Sequence, residues 1–384
     1  MRLLHTADWH LGKSLKNADL SQNQRYALEQ LLDVVEKEKP DVVLLAGDIY
    51  DRALPPAHAV EIFNWAMSEI VLRLRTPVIA IAGNHDSPER IDYLSGMLHQ
   101  QGLYIFGKPN IYRPVVLQDR YGEVHFHPLP FAEPANCNHF AGQAAFSSHE
   151  EVLATWVKNI KMQMDPKARH VAIGHVFITN GKTSESERPL HTVGGASEVP
   201  AEIFSPFHYT AQGHLHRPQS FLAGSLRYSG SLLKYSFSEA DHQKCFLIVE
   251  IDQYGKVTSE KISILHKQEV LSVEGYIREG VFQLQLRQNQ NPPGKEDFLE
   301  VTLLNLEPVI NAAEIIQRQY PFTLSIRQSC FIRQHEEQYT SAEEISLLSD
   351  VEIITKFFQR YLPEINAMQE KVIKELVEQI KQAL

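Results

Sequence analysis

The first hundred residues alternate between short apolar runs and longer stretches in which apolar residues recur every three or four positions. Continuous apolar runs predict strands that are buried on both faces of a sheet, and the longer periodic stretches predict amphipathic helices. The runs are residues 2–7, 41–47 and 77–83, and the periodic stretches are residues 22–39, 55–75 and 87–101. This β-α-β-α-β-α order predicts a right-handed, mostly parallel sheet with helices on both faces.

Later segments predict further strands and a second, smaller unit. Residues 170–175 and 209–214 have the pattern of short strands that end in Gly-His, and residues 244–252 and 256–265 that of an antiparallel pair. Past about residue 270, two strand-like runs flank a helical stretch at 308–321, which predicts a small α+β domain. The predicted boundaries are a main domain at 1–268, an α+β capping domain at 269–338 and C-terminal helices at 339–384.

Composition limits the choice of function without deciding it. The 384 residues are 43% hydrophobic and 22% charged, as in ordinary globular proteins. The net charge of −10 gives no bulk attraction to nucleic acid, so any DNA contact needs a local basic surface or a partner. Three widely spaced cysteines form neither a disulfide framework nor a CxxC site, which favours a reducing cytoplasm. The sequence shows no secretory leader and no apolar run of about 18 residues, so we expect no membrane partner.

Polar side chains follow five of the predicted strands at the point where each strand ends. Because ligands of open α/β sheets lie at the carboxyl ends of the strands, we expect these groups to converge. They are Asp8 and His10, then Asp48 and Asp51, then Asn84, His85 and Asp86, and finally His175, His214 and His216 after the two Gly-His strands. A single histidine is more simply interpreted as a buried or surface residue that binds nothing. This many polar groups after five apolar runs favour a common site instead.

The chemical types in this set predict a metal centre. Carboxylate, imidazole and amide groups without thiolates suit Mn²⁺, Fe²⁺ or Zn²⁺ and do not suit a structural zinc site. The set is too large for one ion, and two cations about 4 Å apart need a shared anionic ligand, for which Asp48 is best placed. The expected ligands are Asp8, His10, Asp48 and His216 for one ion, and Asp48, Asn84, His175 and His214 for the other.

The motifs D-x-H, G-D-x-x-D, G-N-H-D, G-H and G-H-x-H, in this order, resemble those of the calcineurin-like metallophosphoesterases. Four longer stretches, HTADWHLGK, LLAGDIYD, SESERPLHTVGG and QGHLHRPQ, are similar to the SbcD family of bacterial nuclease subunits. The resemblance implies an α/β fold, namely a two-sheet α/β sandwich with a small α+β capping domain and C-terminal helices. It also implies a nuclease that uses two divalent ions, Mn²⁺ or alternatively Mg²⁺, on double-stranded DNA ends and hairpins in repair and recombination.

The same resemblance implies partners and catalytic roles. The implied partners are an SbcC-type SMC-like ATPase and a second copy joined through nuclease-domain helices, in the bacterial cytoplasm near the nucleoid. His85 is expected to protonate or stabilise the leaving oxygen, and Asp86 to hold the His85 imidazole and raise its basicity. We expect Asp51 outside the ligand set. The archaeal and eukaryotic relatives carry a histidine at that position, and its role does not transfer.

Two other functions fit parts of the sequence. A phosphodiesterase or phosphatase for small molecules uses the same metal site, but it needs neither a capping domain nor a docking tail. A metal-free protein on this fold predicts lost ligands, whereas every ligand position is filled here.

Three features stay open at this stage. Residues 184–195 fit a substrate-facing loop or a structural one, and the apolar stripe from Ile365 to Ile380 fits internal packing or docking of the ATPase. Basic side chains near the motifs either contact phosphates or are solvated surface charges. They are Lys13, Lys16, Arg52, Arg90, Arg188 and Arg217.

Overall fold

The computed structural model describes residues 1–109, 113–137, 146–187, 198–286 and 292–329. Within these ranges the strands are, in chain order, β1 (Arg2–Thr6), β2 (Ser14–Leu15), β3 (Ala18–Asp19), β4 (Val42–Ala46), β5 (Val78–Ile81), β6 (Leu103–Phe106), β7 (Val115–Asp119), β8 (Gly122–Leu129), β9 (Arg169–His175), β10 (Phe177–Ile178), β11 (Glu198–Val199), β12 (Tyr209–Gly213), β13 (Gln219–Phe221), β14 (Leu226–Tyr228), β15 (Cys245–Ile251), β16 (Val257–Ser263), β17 (Val270–Arg278), β18 (Val281–Gln285), β19 (Phe298–Leu303) and β20 (Thr323–Gln328).

The helices in the same ranges are α1 (Ser21–Glu38), α2 (Ala57–Ser68), α3 (Pro88–Ile91), α4 (Ser95–His99), α5 (Pro134–Cys137), α6 (His149–Lys161) and α7 (Ala312–Gln319). A π-helical turn, Glu69–Arg73, extends α2, and 3₁₀ turns lie at Ala201–Phe204, Leu222–Gly224 and Phe237–Glu239. None of the helices in this part of the chain has the length and apolarity needed to cross a membrane.

Two six-stranded sheets form the main body of the molecule. The first has the order β16-β15-β1-β4-β5-β6, with β1, β4, β5 and β6 parallel and β15 and β16 antiparallel to their neighbours. The second has the order β13-β14-β12-β9-β8-β7, with a parallel centre and an antiparallel strand at each edge. The predicted β-α-β-α-β-α sheet and the predicted antiparallel pair β15–β16 are therefore confirmed.

The two sheets pack face to face, with helices on their outer sides. The layer between the sheets includes Leu44 and Ile79 from the first sheet and Phe126, Val171 and Tyr209 from the second, all fully buried. Helices α1 and α2 cover the far face of the first sheet, and α6 covers the far face of the second. The structure confirms the two-sheet α/β sandwich. The expectation of helices on both faces of the first sheet was wrong, because its second apolar face packs on another sheet.

The apolar spacing explains how the outer helices dock. In α1 the buried residues Leu28, Leu31, Leu32 and Val35 form one stripe toward the first sheet, and the helix ends at Lys39, which has left-handed backbone (φ 47°). In α6 the side chain of Ser148 caps the helix by accepting a hydrogen bond from the backbone N–H of Glu151 at 3.2 Å.

A four-stranded sheet follows the sandwich in the chain. Its order is β18-β17-β19-β20, with β17, β19 and β20 parallel, and α7 packs on it through Ile316. The strands and helix predicted between residues 298 and 328 are present. The domain boundaries at 268 and 338 stay predictions, and the predicted C-terminal helices at 339–384 lie outside the described residues.

Candidate metal centre

The loops that carry the predicted ligands leave their strands with an unusual backbone. Asp8, His10, Asp48 and His214 have φ values of 51°, 43°, 48° and 102°, a region that residues other than glycine rarely adopt. Backbone hydrogen bonds between loops hold this conformation, since Asp8 N donates to Gly47 O and His10 N donates to Asp48 O, each at 3.0 Å. Such backbone costs on the order of 1 kcal/mol per residue and is concentrated at functional sites.

The first predicted ligand group is assembled in the structure. Asp8, His10 and Asp48 each offer a ligand atom within 4.8 Å of the others. His216 joins them, with its Nε2 3.0 Å from Nε2 of His10. Among the described residues, Oδ2 of Asp8 is buried without a hydrogen-bond partner, as expected for an atom that a cation satisfies.

The second predicted group lies against the first. Oδ1 of Asn84 is 2.9 Å from Nε2 of His175 and 3.2 Å from Nδ1 of His214. Oδ2 of Asp48 is 3.4 Å from Nε2 of His175 and 3.6 Å from Nε2 of His10. One carboxylate oxygen of Asp48 therefore lies between the two groups, where a bridging ligand belongs.

Hydrogen bonds on the far side of each ligand set its orientation. Nδ1 of His175 donates to the carbonyl oxygen of Ala46 at 2.9 Å, which turns Nε2 toward Asp48 and Asn84. The backbone N–H of His85 donates to Oδ1 of Asp48 at 2.9 Å and leaves Oδ2 for the centre. Contacts of this kind fix the tautomer and direction of metal ligands.

The electrostatics of the pocket favour the binding of a cation. Burial lowers the pKa of His10 and His214 well below the usual range, so both rings are neutral, as metal coordination requires. Burial raises the pKa of Asp8 to about 7. Although burial opposes it, Asp48 holds the pKa of His175 at about 9, so that a proton on this ring balances the carboxylates. A divalent cation would displace that proton, and the oxygen and nitrogen donors present fit such an ion.

His85 lies beside the first ligand group, but its ring is not held as expected. Its ring centroid is 4.7 Å from that of His10, and its Nδ1 donates to the carbonyl oxygen of Asp51 at 2.8 Å. Asp86 instead accepts three backbone N–H groups, from Ile49 at 3.0 Å, Tyr50 at 2.9 Å and Gly83 at 2.9 Å. The expectation that Asp86 orients the His85 imidazole was wrong, because its carboxylate ties the loops after β4 and β5 together.

Asp51 lies beside His10 and His85, and its placement outside the ligand set stays a prediction. Its Oδ1 is 3.7 Å from Nδ1 of His10 and 4.0 Å from Nδ1 of His85, a spacing that could hold an ion. However, the ammonium of Lys13 lies 2.7 Å from the same oxygen and supplies the positive charge there. The positive charge of Lys13 at this oxygen disfavours a cation there, and the contact of Asp51 with the His85 ring is through its backbone oxygen.

Sequence reasoning missed the residues that surround His216. Its Nδ1 is 2.7 Å from Oγ of Ser186 and 3.3 Å from Oε1 of Glu239, and Glu239 in turn accepts a hydrogen bond from Lys244. Burial raises the pKa of Glu239, but Lys244 and His216 outweigh this and hold it well below the usual range. Ser186 lies in the motif SESERPLHTVGG, whereas no local pattern singles out Glu239 or Lys244.

The basic side chains near the motifs divide into paired and exposed ones. Lys13 pairs with Asp51, and Arg217 pairs with Asp241 at 2.6 Å. Arg52 is exposed and also pairs with Asp51, with its Nε 3.6 Å from Oδ2, whereas Lys16 and Arg90 are exposed. Arg188 lies outside the described residues.

A family model described as "Calcineurin-like phosphoesterase" matches residues 1–218, more than half of the chain. The chain belongs to this family. The matched segment contains every predicted ligand of the centre, from Asp8 to His216. The protein is therefore a phosphoester hydrolase of the metallophosphoesterase superfamily, whose members act through dimetal centres.

Comparison with solved structures finds distant similarity. TT1561 of Thermus thermophilus is 14% identical with a TM-score of 0.39, over 68% of this chain and 98% of that one. A dimetal phosphatase from Danio rerio is 11% identical with a TM-score of 0.39, over 70% and 99%. GAP50, the anchor in the inner membrane complex of Plasmodium, is 11% identical with a TM-score of 0.36, over 85% and 96%. The family assignment and the site geometry, rather than these similarities, carry the functional argument.

Proposed function

We propose that this protein is the nuclease subunit of an SbcCD-type complex and hydrolyses DNA phosphodiesters at double-strand ends and hairpins. The observation that carries the proposal is the position of Asp48 Oδ2, between Nε2 of His10 at 3.6 Å and Nε2 of His175 at 3.4 Å. This arrangement suits a pair of cations that share one carboxylate, with His85 next to them.

The choice of DNA over a small substrate rests on the sequence and on the surface. Four motif stretches around the centre resemble those of the SbcD family. The exposed side chains of Lys16 and Arg90 offer local positive charge on a chain of net charge −10. The four-stranded sheet β18-β17-β19-β20 adds a unit beyond the matched catalytic segment.

In this proposal Asp8, His10, Asp48 and His216 hold one divalent ion, and Asp48, Asn84, His175 and His214 hold the other. The ions, Mn²⁺ or alternatively Mg²⁺, would neutralise phosphate charge and lower the pKa of the attacking water.

His85 has the role of proton donor. The carbonyl oxygen of Asp51 can only accept, so the proton at 2.8 Å stays on Nδ1 of His85 and exchange takes place at Nε2. Water attacks phosphorus, the bond from phosphorus to the 3′- or 5′-oxygen breaks, and His85 gives its Nε2 proton to that leaving oxygen. The proton of the attacking water is released to solvent, which the lowered pKa of that water would allow. Asp86 contributes by holding the loop that carries His85.

The partners follow from the same resemblance. We propose an SbcC-type SMC-like ATPase as the subunit that opens DNA, and a homodimer through helices of the nuclease domain, in the bacterial cytoplasm near the nucleoid. A shift of the purified chain to a larger species on addition of the ATPase is the expected result in size-exclusion chromatography. Elution as an unchanged monomer would contradict both interactions.

The catalytic proposal is tested by cleavage of end-labelled double-stranded DNA and of bis-p-nitrophenyl phosphate with Mn²⁺. His85→Ala is expected to lower DNA cleavage at least 100-fold while it keeps Mn²⁺ binding. The loss on bis-p-nitrophenyl phosphate is expected to be smaller, because nitrophenolate leaves without needing a proton. His58→Ala, which truncates an exposed histidine of α2, is the matched control and is expected to match the unmodified chain. Hydrolysis of the small ester with intact DNA, even with the ATPase present, would favour a small-molecule phosphodiesterase instead.

A further inference from the structure

The backbone of His216 is held on both sides of the residue. Its N–H donates to Oε1 of Glu187 at 2.6 Å, and its carbonyl oxygen accepts from Nζ of Lys244 at 2.9 Å and from the N–H of Ser231 at 3.2 Å. His216 is almost completely buried, so these contacts are made away from solvent. The position of this residue is therefore set by groups outside the two ligand groups.

The imidazole of His216 is at the head of a directed hydrogen-bond chain. Oγ of Ser186 donates to Oε1 of Glu239, which can only accept, so Oγ must accept from Nδ1 of His216 at 2.7 Å. Glu239 also lies 3.3 Å from the same Nδ1. The chain places the ring proton on Nδ1 and leaves the lone pair on Nε2, which lies 3.0 Å from Nε2 of His10.

The charge at the end of this chain is fixed by an ion pair inside the protein. Glu239 and Lys244 are both fully buried, and Lys244 donates to Oε2 of Glu239. A buried ion pair adds little stability in general, because the desolvation of both charges offsets their attraction. Its contribution to stability therefore does not explain the pair, whereas a role in orienting a neighbouring metal ligand does.

We propose that Ser186 and Glu239 are positioning residues that hold the His216 proton on Nδ1 and direct Nε2 to the cation of the first ligand group. This inference rests on the ligand assignment made in the proposed function, and it adds residues that lie partly outside the matched family segment. It also assigns Ser186 and Glu187 of the SESERPLHTVGG motif to holding a metal ligand.

The test measures Mn²⁺ binding by the full chain, with free Mn²⁺ detected by electron paramagnetic resonance. Ser186→Ala is expected to weaken one of the two bound ions about 10- to 100-fold, the usual effect of removing a partner of a metal ligand. Ser186→Thr keeps the hydroxyl and is expected to stay within a few-fold of the unmodified chain. The matched control is Ser238→Ala, because Ser238 accepts from Glu185 N at 3.0 Å but does not contact His216.

A second measurement separates positioning from a loss of structure. In the Ser186→Ala variant, the Mn²⁺ concentration at half-maximal hydrolysis of bis-p-nitrophenyl phosphate is expected to rise, while turnover at saturating Mn²⁺ returns to near that of the unmodified chain. Glu239→Gln removes the charge at the end of the chain and is expected to shift the same concentration in the same direction. Equal Mn²⁺ affinity for Ser186→Ala and Ser238→Ala would overturn the inference.

His216→Ala shows which proposal has failed if the result is negative. Full retention of both ions in that variant would overturn the assignment of His216 as a ligand, and the inference with it. Loss of one ion in His216→Ala but not in Ser186→Ala or Glu239→Gln would overturn the inference alone. Failure of the unmodified chain to cut DNA would bear on the nuclease proposal and leave the Mn²⁺ result valid.

Discussion

Replacement of Asp86 by asparagine separates a structural role from a catalytic one. The Asp86 carboxylate accepts from Ile49 N and Gly83 N on Oδ2, and from Tyr50 N on Oδ1. The amide oxygen of asparagine can keep the two contacts of Oδ2. Its NH₂ group then faces the N–H of Tyr50, so that two donors meet and one buried N–H loses its acceptor.

The expected cost follows from these three bonds. A buried donor left without an acceptor costs about 1–3 kcal/mol, and the two N–H groups on Oδ2 keep an oxygen acceptor. Burial raises the pKa of Asp86 to about 7, which means that it penalises the charge that asparagine lacks, so no further loss is added for the weaker acceptor. Asp86→Asn is therefore expected to lower the free energy of unfolding by about 2 kcal/mol at about pH 8, where the carboxylate is ionised.

Urea unfolding followed by circular dichroism measures this difference. Asp92→Asn is the matched control, since Asp92 is half-buried and its carboxylate interacts with the backbone N–H groups of Gly107 and Lys108. It is expected to cost less than about 1 kcal/mol, because a half-buried group can exchange a weakened partner for water. The pH dependence of hydrolysis supplies the second readout. A kinetic pKa that shifts by a unit or more in Asp86→Asn, with stability unchanged, would refute the structural role. It would support the alternative in which Asp86 orients the imidazole of His85.

Three further perturbations have defined outcomes. Gly47→Ala is expected to lower the free energy of unfolding by about 2–5 kcal/mol, because φ is +87° and the added Cβ would stand 2.3 Å from Nδ1 of His175. Gly280→Ala, at φ +70° in open space, is the control. Equal losses of the two variants in urea unfolding would contradict the packing argument. Burial beside His170 lowers the pKa of His127 from 6.5 to about 3, so the unfolded chain takes up a proton first as the pH falls. His127 should then contribute about 2 kcal/mol to the loss of unfolding free energy between pH 7 and pH 5, and this loss should be smaller by about that amount in His127→Gln. Removal of Mn²⁺ by EDTA, from a concentration about 100-fold above its Kd, should lower stability by about 2.7 kcal/mol, and an unchanged melting temperature would argue against a resident ion.

The position of the centre was predictable because strand ends are visible in the sequence. The apolar runs that become β1, β4 and β5 stop at the residue where the chain turns polar, and the parallel arrangement brings those ends together. The partner of each apolar face was not predictable. A helix or a second sheet can bury an apolar face of β4 equally well. Only the tertiary structure shows that Leu44 packs toward Phe126 and Val171.

The role of Asp86 was misassigned because adjacency in sequence is not adjacency in space. Asp86 follows His85 directly, yet its carboxylate reaches two amides of the loop after β4, 36 and 37 positions earlier. The acceptor that does hold the His85 ring is a backbone oxygen, that of Asp51. Backbone acceptors have no sequence signature, because every residue carries one.

The surroundings of His216 show that the centre depends on chain beyond the family match at residue 218. Glu239 and Lys244 lie past that point, and the N–H of Leu232 donates to the carbonyl oxygen of Asp8 at 3.2 Å. Strand β15, Cys245–Ile251, pairs with β1 along four residues, from Arg2–Glu250 to His5–Leu247. Without β15, β1 would become an exposed edge of the first sheet, next to the loop that carries Asp8 and His10. The strand that supports two ligands and the ion pair beside a third therefore come from the same later segment, and loss of residues 219–251 would remove both supports of the metal centre.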